Sequence, residues 1–488
     1  MWMHRYNPAA LAGLSLAVGV GVLAIGCGNQ YRPVITPIQP TGPGALPSAD
    51  VVVVSQPGFT PLGEGVTASP CTSTTYGTPS IVTVLDFSGD SVAAQADGGY
   101  GPLSFSLDVT GSTIYGPNCD GTLTSATATP GQLKSSTVET STLLPGSVPT
   151  NILPIGTNLY VAETGLHGPT CAVTNCVAQL SSVGIQSLKQ EIPVAPSLIA
   201  LTGSAGAQRI YSISQGNSNG GNLTWGACAN PGAVSVNGEA DAIETSTNTI
   251  SARLPLGICP VYGFTTPDTL RTFIMNRGGS GTVTVINGQL NAIDSAHPTI
   301  QVGAGPVFAD YYLQGQILVT ANYDANSISI IDVSLDQYGN DSATFGNILA
   351  TIPVGLHPVE VSVLQDGSRI YVANQGNIAA GTCNGTPCVP GSVSIVNLQN
   401  YTVEKTIPLT VNPHSIASVY NYPIGKVYVS SQNSPYLTII RTDTDIVSAT
   451  PEMEGNIVEM RVSAQYPGQS GSASNHQINS RTVGSGAP

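Results

Sequence analysis

The chain has 488 residues, only 9% of them charged, with 55 Gly and 36 Pro; this argues against a body of amphipathic helices and for many short strands joined by turns. Acidic residues outnumber basic ones 28 to 14, a net charge of −14, so attraction to phosphate backbones is unfavourable and nucleic acid is not an expected partner. The length would hold two or three average domains, or one repeat domain whose core grows unit by unit.

Residues 1–26 have the anatomy of a secretory signal peptide. His4 and Arg5 precede an apolar run from Ala9 to Ile25, which is at the short limit for a membrane span. Export follows as an expectation. Leu23-Ala24-Ile25-Gly26-Cys27 resembles a bacterial lipobox with Ala24 where Leu is usual; ordinary cleavage after Gly26 is the alternative. A lone Cys directly after such a site favours lipidation of Cys27, and two or more acyl chains would hold the protein on a membrane. Gly28, rather than Asp, resembles lipoproteins sorted to the outer membrane. Residues 27–49 then carry Pro33, Pro37, Pro40, Pro43 and Pro47, the composition of a stiff, extended tether.

From Asp50 a four-stranded unit repeats. It is clearest at Pro358-Val-Glu-Val-Ser-Val, the turn Asp366-Gly367, Arg369-Ile-Tyr-Val-Ala-Asn374 and Ser392-Val-Ser-Ile-Val, which reads as an antiparallel meander. Tyr115, Tyr160, Tyr211, Phe273, Val319, Tyr371 and Tyr428 hold equivalent places in second strands. Each follows a proline, Pro102, Pro149, Pro196, Pro260, Pro306, Pro358 and Pro413, at a nearly constant spacing. Third strands recur as Ile81–Asp86, Thr282–Asn287, Ser327–Asp332 and Ser392–Asn397, and fourth strands end in Ile192-Pro, Leu254-Pro, Ile352-Pro and Ile407-Pro. A proline there is tolerated only at an outer edge, which it also blunts against aggregation.

Four strands per unit of this length predict an all-β propeller. Asp50 to Ser55 reads as a second strand lacking a first, and Asn456 to Ser463 as a first strand lacking a second. Joined, they make one blade from both ends of the chain and close a ring of eight; seven blades follow if 55–79 is an appendage. The propeller is expected over 50–465, with a disordered Gly- and Ser-rich tail at 466–488.

Arg369-Ile-Tyr-Val-Ala-Asn374, Val393-Ser-Ile-Val-Asn397 and Lys405-Thr-Ile-Pro-Leu409 resemble the YVTN-type β-propeller repeat of exported bacterial proteins. The likeness is close in the units around Asn276, Asn322, Asn374 and Ser431 and faint before residue 190. It implies a propeller in the cell envelope and carries no shared catalytic residues.

Eight cysteines remain once Cys27 is set aside, an even number in an exported chain. Cys171 with Cys176 and Cys383 with Cys388 occupy equivalent loops and are expected to form short disulfides; Cys71 with Cys119 and Cys228 with Cys259 are one way to pair the rest. A metal site on the short pairs is disfavoured, because no histidine is read at zinc-ligand spacing from them, and no Cys-x-x-Cys-His is present for haem. His357 and His414 flank the prolines that open two successive units and could converge at a channel mouth with Glu360 or Asp310; solvated turn residues are the plainer reading. His4, His167, His297 and His476 read as scattered. Asp324, Asp332, Asp336, Asn340 and Asp341 do not follow the order of an EF-hand loop.

No nucleophile elbow, zinc-protease helix or phosphate loop occurs, and no catalytic residue, metal or cofactor is assigned. The expectation is an envelope lipoprotein, monomeric and held by its lipid, that binds or scaffolds an envelope protein, peptide or glycan through loops of variable length. A lactonase-like hydrolase with a site in the central channel is the alternative, by analogy of fold. A quinoprotein-like oxidoreductase is disfavoured because only two Trp are present.

Overall fold

The computed structural model describes residues 50–57, 78–108, 113–118, 121–127, 139–182, 185, 188–204, 208–224, 227–379, 382–383, 387–419, 424–431 and 434–462. The expected leader, tether and tail lie outside these residues. The described chain folds into eight four-stranded antiparallel blades, so it is an eight-bladed β-propeller. Seven blades follow one another at 106–142, 149–193, 198–258, 260–301, 306–353, 358–408 and 413–449. The eighth is composite: its strands run in the order Ser91–Asp97, Ile81–Asp86, Asp50–Gln56 and Asn456–Val462. Val51 pairs with Val462 and Val53 with Met460, so the two ends of the body meet in one sheet as the sequence predicts. Residues 55–79 therefore interrupt a blade rather than replace one.

Second and third strands are apolar without alternation because each sheet is covered on both faces by its neighbours. Ile370, Tyr371, Val372 and Ala373 are all fully buried. The fourth strands lie at the outer end of their sheets and carry Pro193, Pro255, Pro353 and Pro408. The fourth blade departs from this pattern. Its outer strand is split into Ala292–Ile293 and Thr299–Gln301, separated by a turn in which Asp294 Oδ1 accepts the Ala296 and His297 amides, both at 2.9 Å.

A side-chain motif closes each well-formed unit. Asn276 Nδ2 donates to Thr282 and Thr284, Asn322 Nδ2 to Ser327 and Ser329, and Asn374 Nδ2 to Ser392 and Ser394, at 2.9–3.2 Å. The asparagine at the end of the second strand thus ties down the hydroxyls of the third. A glycine lies over it: a Cβ on Gly257, Gly303 or Gly355 would meet the Asn276, Asn322 or Asn374 side chain at 2.6–2.7 Å. The next strand then opens with a bulge, as in Pro306/Phe308 and Pro358/Glu360.

A second motif joins successive blades. The cation that opens a second strand and the tyrosine two residues later both reach the outer turn of the following blade. Arg369 Nη1 lies 3.4 Å from Asp445 Oδ1 and the Tyr371 hydroxyl donates to the same oxygen at 2.5 Å. Lys426 Nζ and the Tyr428 hydroxyl grip Asp90 at 2.8 and 3.3 Å, locking the seventh blade to the composite one. Tyr160 donates to Asn248 Oδ1 at 2.8 Å. The aromatic positions that mark the repeat are therefore a packing layer with a polar tether at its rim.

Candidate functional site

In an antiparallel meander the loops between second and third strands emerge on the same face as the turns that lead into the next blade. Here that face carries the long loops 164–175, 215–236 and 375–391, and every disulfide among the described residues. Cys171–Cys176 staples the first loop, and Cys228–Cys259 ties the second to the turn before Pro260, both as expected. Cys388 is also disulfide-bonded. Cys27, Cys71 and Cys119 lie outside the described residues, as does the side chain of Cys383. On the opposite face most turns are short, and the longer connections are 128–138, 182–189 and 333–347.

Asp310 and Glu360 sit in first strands and bind the neighbouring blade. Asp310 Oδ2 accepts the Val363 amide at 2.7 Å and Glu360 Oε2 the Ile416 amide at 3.0 Å. Both carboxylates are buried, and each takes an amide hydrogen bond from the next unit round the ring. Neutral first-strand groups also meet between blades, as with Ser362 and Ser418 at 2.8 Å and Thr202 and Thr265 at 3.1 Å. His414 is the half-buried second residue of the seventh blade's first strand.

His357 has a left-handed backbone, φ 54°. Its amide donates to Asn326 Oδ1 at 2.8 Å and its Nδ1 lies 3.0 Å from the Gly376 carbonyl. The structure brings it to residues the sequence reading passed over. Its ring stacks on Tyr323, with centroids 4.3 Å apart and planes 13° from parallel, and the Arg277 guanidinium lies 4.9 Å from the same Tyr323 ring. Arg277 is paired with Asp324 at 3.2 Å, and the Tyr323 hydroxyl donates to Gln375 Oε1 at 3.3 Å. Arg277, Tyr323 and Gln375 each follow the asparagine of their own unit directly. That shared register was the available signal. The result is a cation–aromatic–imidazole stack crossing three blades on the disulfide face, with Arg277 buried and Tyr323 and His357 half-buried.

Two histidines read as scattered prove to lie in ion clusters. On the disulfide face, His167 stands between Glu163 and Glu191, at 3.1 and 2.7 Å. Burial raises the Glu163 carboxyl to about 7, with the Ser147 hydroxyl and His167 acting against it. On the opposite face His297 Nδ1 lies 2.7 Å from Asp341, whose other oxygen is held by Arg271 at 2.6 Å. Asp294 stands 3.7 Å from the same guanidinium. This second cluster already contains its counter-cation. The two escaped detection because their members come from a strand end, a loop and an outer strand far apart in the chain.

A family model described as the Choice-of-anchor I domain matches residues 315–422, from the fifth blade into the seventh. No curated protein sequence matches the chain. Among solved structures, apo AztD from Citrobacter koseri superposes with a TM-score of 0.50 at 11% identity, covering 85% of this chain and 98% of that one. The dihydro-heme d1 dehydrogenase NirN, solved in complex with DHE, gives a TM-score of 0.57 at 13% identity, covering 87% and 77%. At such identities the likeness is one of fold. The solved structures accord with the propeller fold, and the anchor-domain match accords with a protein exported or displayed at the cell surface. Among the described residues no helix is long and apolar enough to cross a membrane.

Proposed function

We propose that the chain is an envelope lipoprotein whose propeller acts as a binding or scaffold module, and that the disulfide face is its recognition surface. The observation that carries this reading is the concentration of long loops and disulfides on one face of an otherwise regular ring. A disulfide lowers the conformational freedom of an exposed loop and so reduces the ordering cost of binding through it. The Arg277–Tyr323–His357 stack supplies rigid contact area within the same face, and the ligand class favoured is an envelope protein, a peptide or a glycan. Each described arginine is paired with a carboxylate of its own chain, which supports a partner other than a polyanion.

Replacing 215–236 by the short turn 323–326 should leave the ring folded and abolish retention of the envelope partner on the immobilised protein. Unchanged retention would move recognition away from this face. Lipidation of Cys27 and sorting to the outer membrane belong to the same proposal. Cys27→Ala should shift the protein from the washed membrane pellet to the soluble fraction; a variant that stays in the pellet would remove the lipid anchor.

A further inference from the structure

The second blade breaks the repeat where the repeat is most regular. Asn276, Asn322 and Asn374 end their second strands opposite the proline of the first strand and the hydroxyl residue of the third. Glu163 holds that position in the second blade, opposite Pro149 on one side and Cys176 on the other. A neutral amide–hydroxyl pair has thus been exchanged for a buried carboxylate, and His167 and Glu191 have gathered against it.

His167 Nε2 faces both carboxylates. His167 Nε2 lies 3.1 Å from Glu163 Oε2 and 2.7 Å from Glu191 Oε1, with side-chain exposures of 0% for His167 and Glu163 and 7% for Glu191. An Nε2–H can serve only one of two facing carboxylates, and Glu163 Oε2, wholly buried, receives no hydrogen bond. The outer contacts fix the set in place. His167 Nδ1 lies 2.9 Å from the Gly165 carbonyl, and the Ser147 hydroxyl donates to Glu163 Oε1 at 2.6 Å. A carbonyl on Nδ1 selects the tautomer whose Nε2 lone pair faces the carboxylates, the arrangement by which second contacts orient metal-binding imidazoles. Nitrogen-to-oxygen separations of 2.7 and 3.1 Å match those of ligands around a small cation with bonds of about 2.0–2.2 Å to nitrogen and oxygen. A divalent ion in place of the imidazole proton would cancel both carboxylate charges, and burial makes that cancellation valuable.

We propose that Glu163, His167 and Glu191 form a binding site for one divalent transition-metal ion of the zinc class, with a fourth position open to water or to a group of the partner. The Cys171–Cys176 disulfide belongs to the site as its clamp. Cys171 Sγ lies 3.2 Å from Glu191 Oε2, but as a disulfide sulfur it supplies no thiolate; it ties the loop that bears His167 to Cys176, the residue opposite Glu163 on the neighbouring strand. The metal site stands apart from the recognition reading above, since it can bind its ion whether or not the face binds a partner.

The test is calorimetric titration of zinc chloride into the purified, chelator-stripped full chain with disulfides intact, together with the visible spectrum of cobalt added in zinc's place. The expected result is one tight equivalent, cobalt bands of a low-coordinate nitrogen–oxygen site, and loss of about a hundredfold in affinity in His167→Ala and Glu191→Gln. Ser147→Ala, which touches no metal, should weaken binding by roughly tenfold. Should Glu163→Gln prove unstable, Glu191→Gln, at the blade's outer edge, carries the same test. The proposal is overturned if the folded chain takes up no stoichiometric zinc, if His167→Ala binds as the parent does, or if binding is lost in His297→Ala instead.

Discussion

Asn322 shows how a single side chain closes a unit. Its two hydrogen bonds to Ser327 and Ser329 are wholly buried, so Asn322→Ala leaves both hydroxyls without that donor and should cost about 2–3 kcal/mol. A urea midpoint unchanged within error would contradict this role. Asp241 makes a prediction of the opposite sense. It accepts the Ala195 amide at 2.7 Å and faces Arg253 at 3.7 Å, with Glu239 beside it. Burial raises its pKa from 3.8 to about 6, against the pull of the Ala195 amide and Arg253. Between those values the folded state keeps a proton that the unfolded chain has released. Its contribution to stability therefore falls as pH rises through that window and stays lost above it. Asp241→Asn should gain on the parent by on the order of 2 kcal/mol between about pH 4 and pH 6.5; parallel stability–pH curves would refute it. The sequence exposed the asparagines because their partners follow within one unit. It hid the Arg277–Tyr323–His357 stack and the Glu163–His167–Glu191 cluster, whose members meet across units or across a loop, where no periodicity marks them.

At the scale of the element, blades were legible because four short strands, a turn residue and an outer-edge proline recur in fixed order. The joints between blades were only half legible. Tyr371 and Tyr428 were legible as one repeated second-strand position, but the turn acids they bind, Asp445 and Asp90, belong to the following blade. The split outer strand of the fourth blade went unread because the turn built on Asp294 uses side-chain acceptors rather than the usual strand pattern. Lys426→Met leaves Asp90 buried without its cation and should cost about 3–5 kcal/mol. Adding Asp90→Asn should recover much of that loss. Additive costs in this double-mutant cycle would show that the pair does not join the blades. Replacing Cys228 and Cys259 together by serine frees a 31-residue separation and should lower stability by about 3–4 kcal/mol while leaving the circular dichroism of the sheets unchanged.

The whole molecule depends on its composite blade. Val51–Val54 are almost fully buried between Ile81–Asp86 and Asn456–Val462, so ending the chain before Asn456 would bare a long apolar edge. Such a truncation should melt roughly 10 °C or more below the parent. Closure fixes the eight blades in one orientation, and with them a face of stapled loops set against a face whose turns are mostly short. The claim that this asymmetry marks the recognition surface can be tested by photo-crosslinking in cells that make the full chain. A photoreactive residue would replace Leu166, Val173 or Tyr436 on the disulfide face, or Leu290 or Tyr338 on the other, all exposed. Covalent adducts with an envelope component from positions 166, 173 and 436, and none from 290 and 338, are the predicted result. Adducts confined to 290 and 338 would contradict it and place recognition on the opposite face.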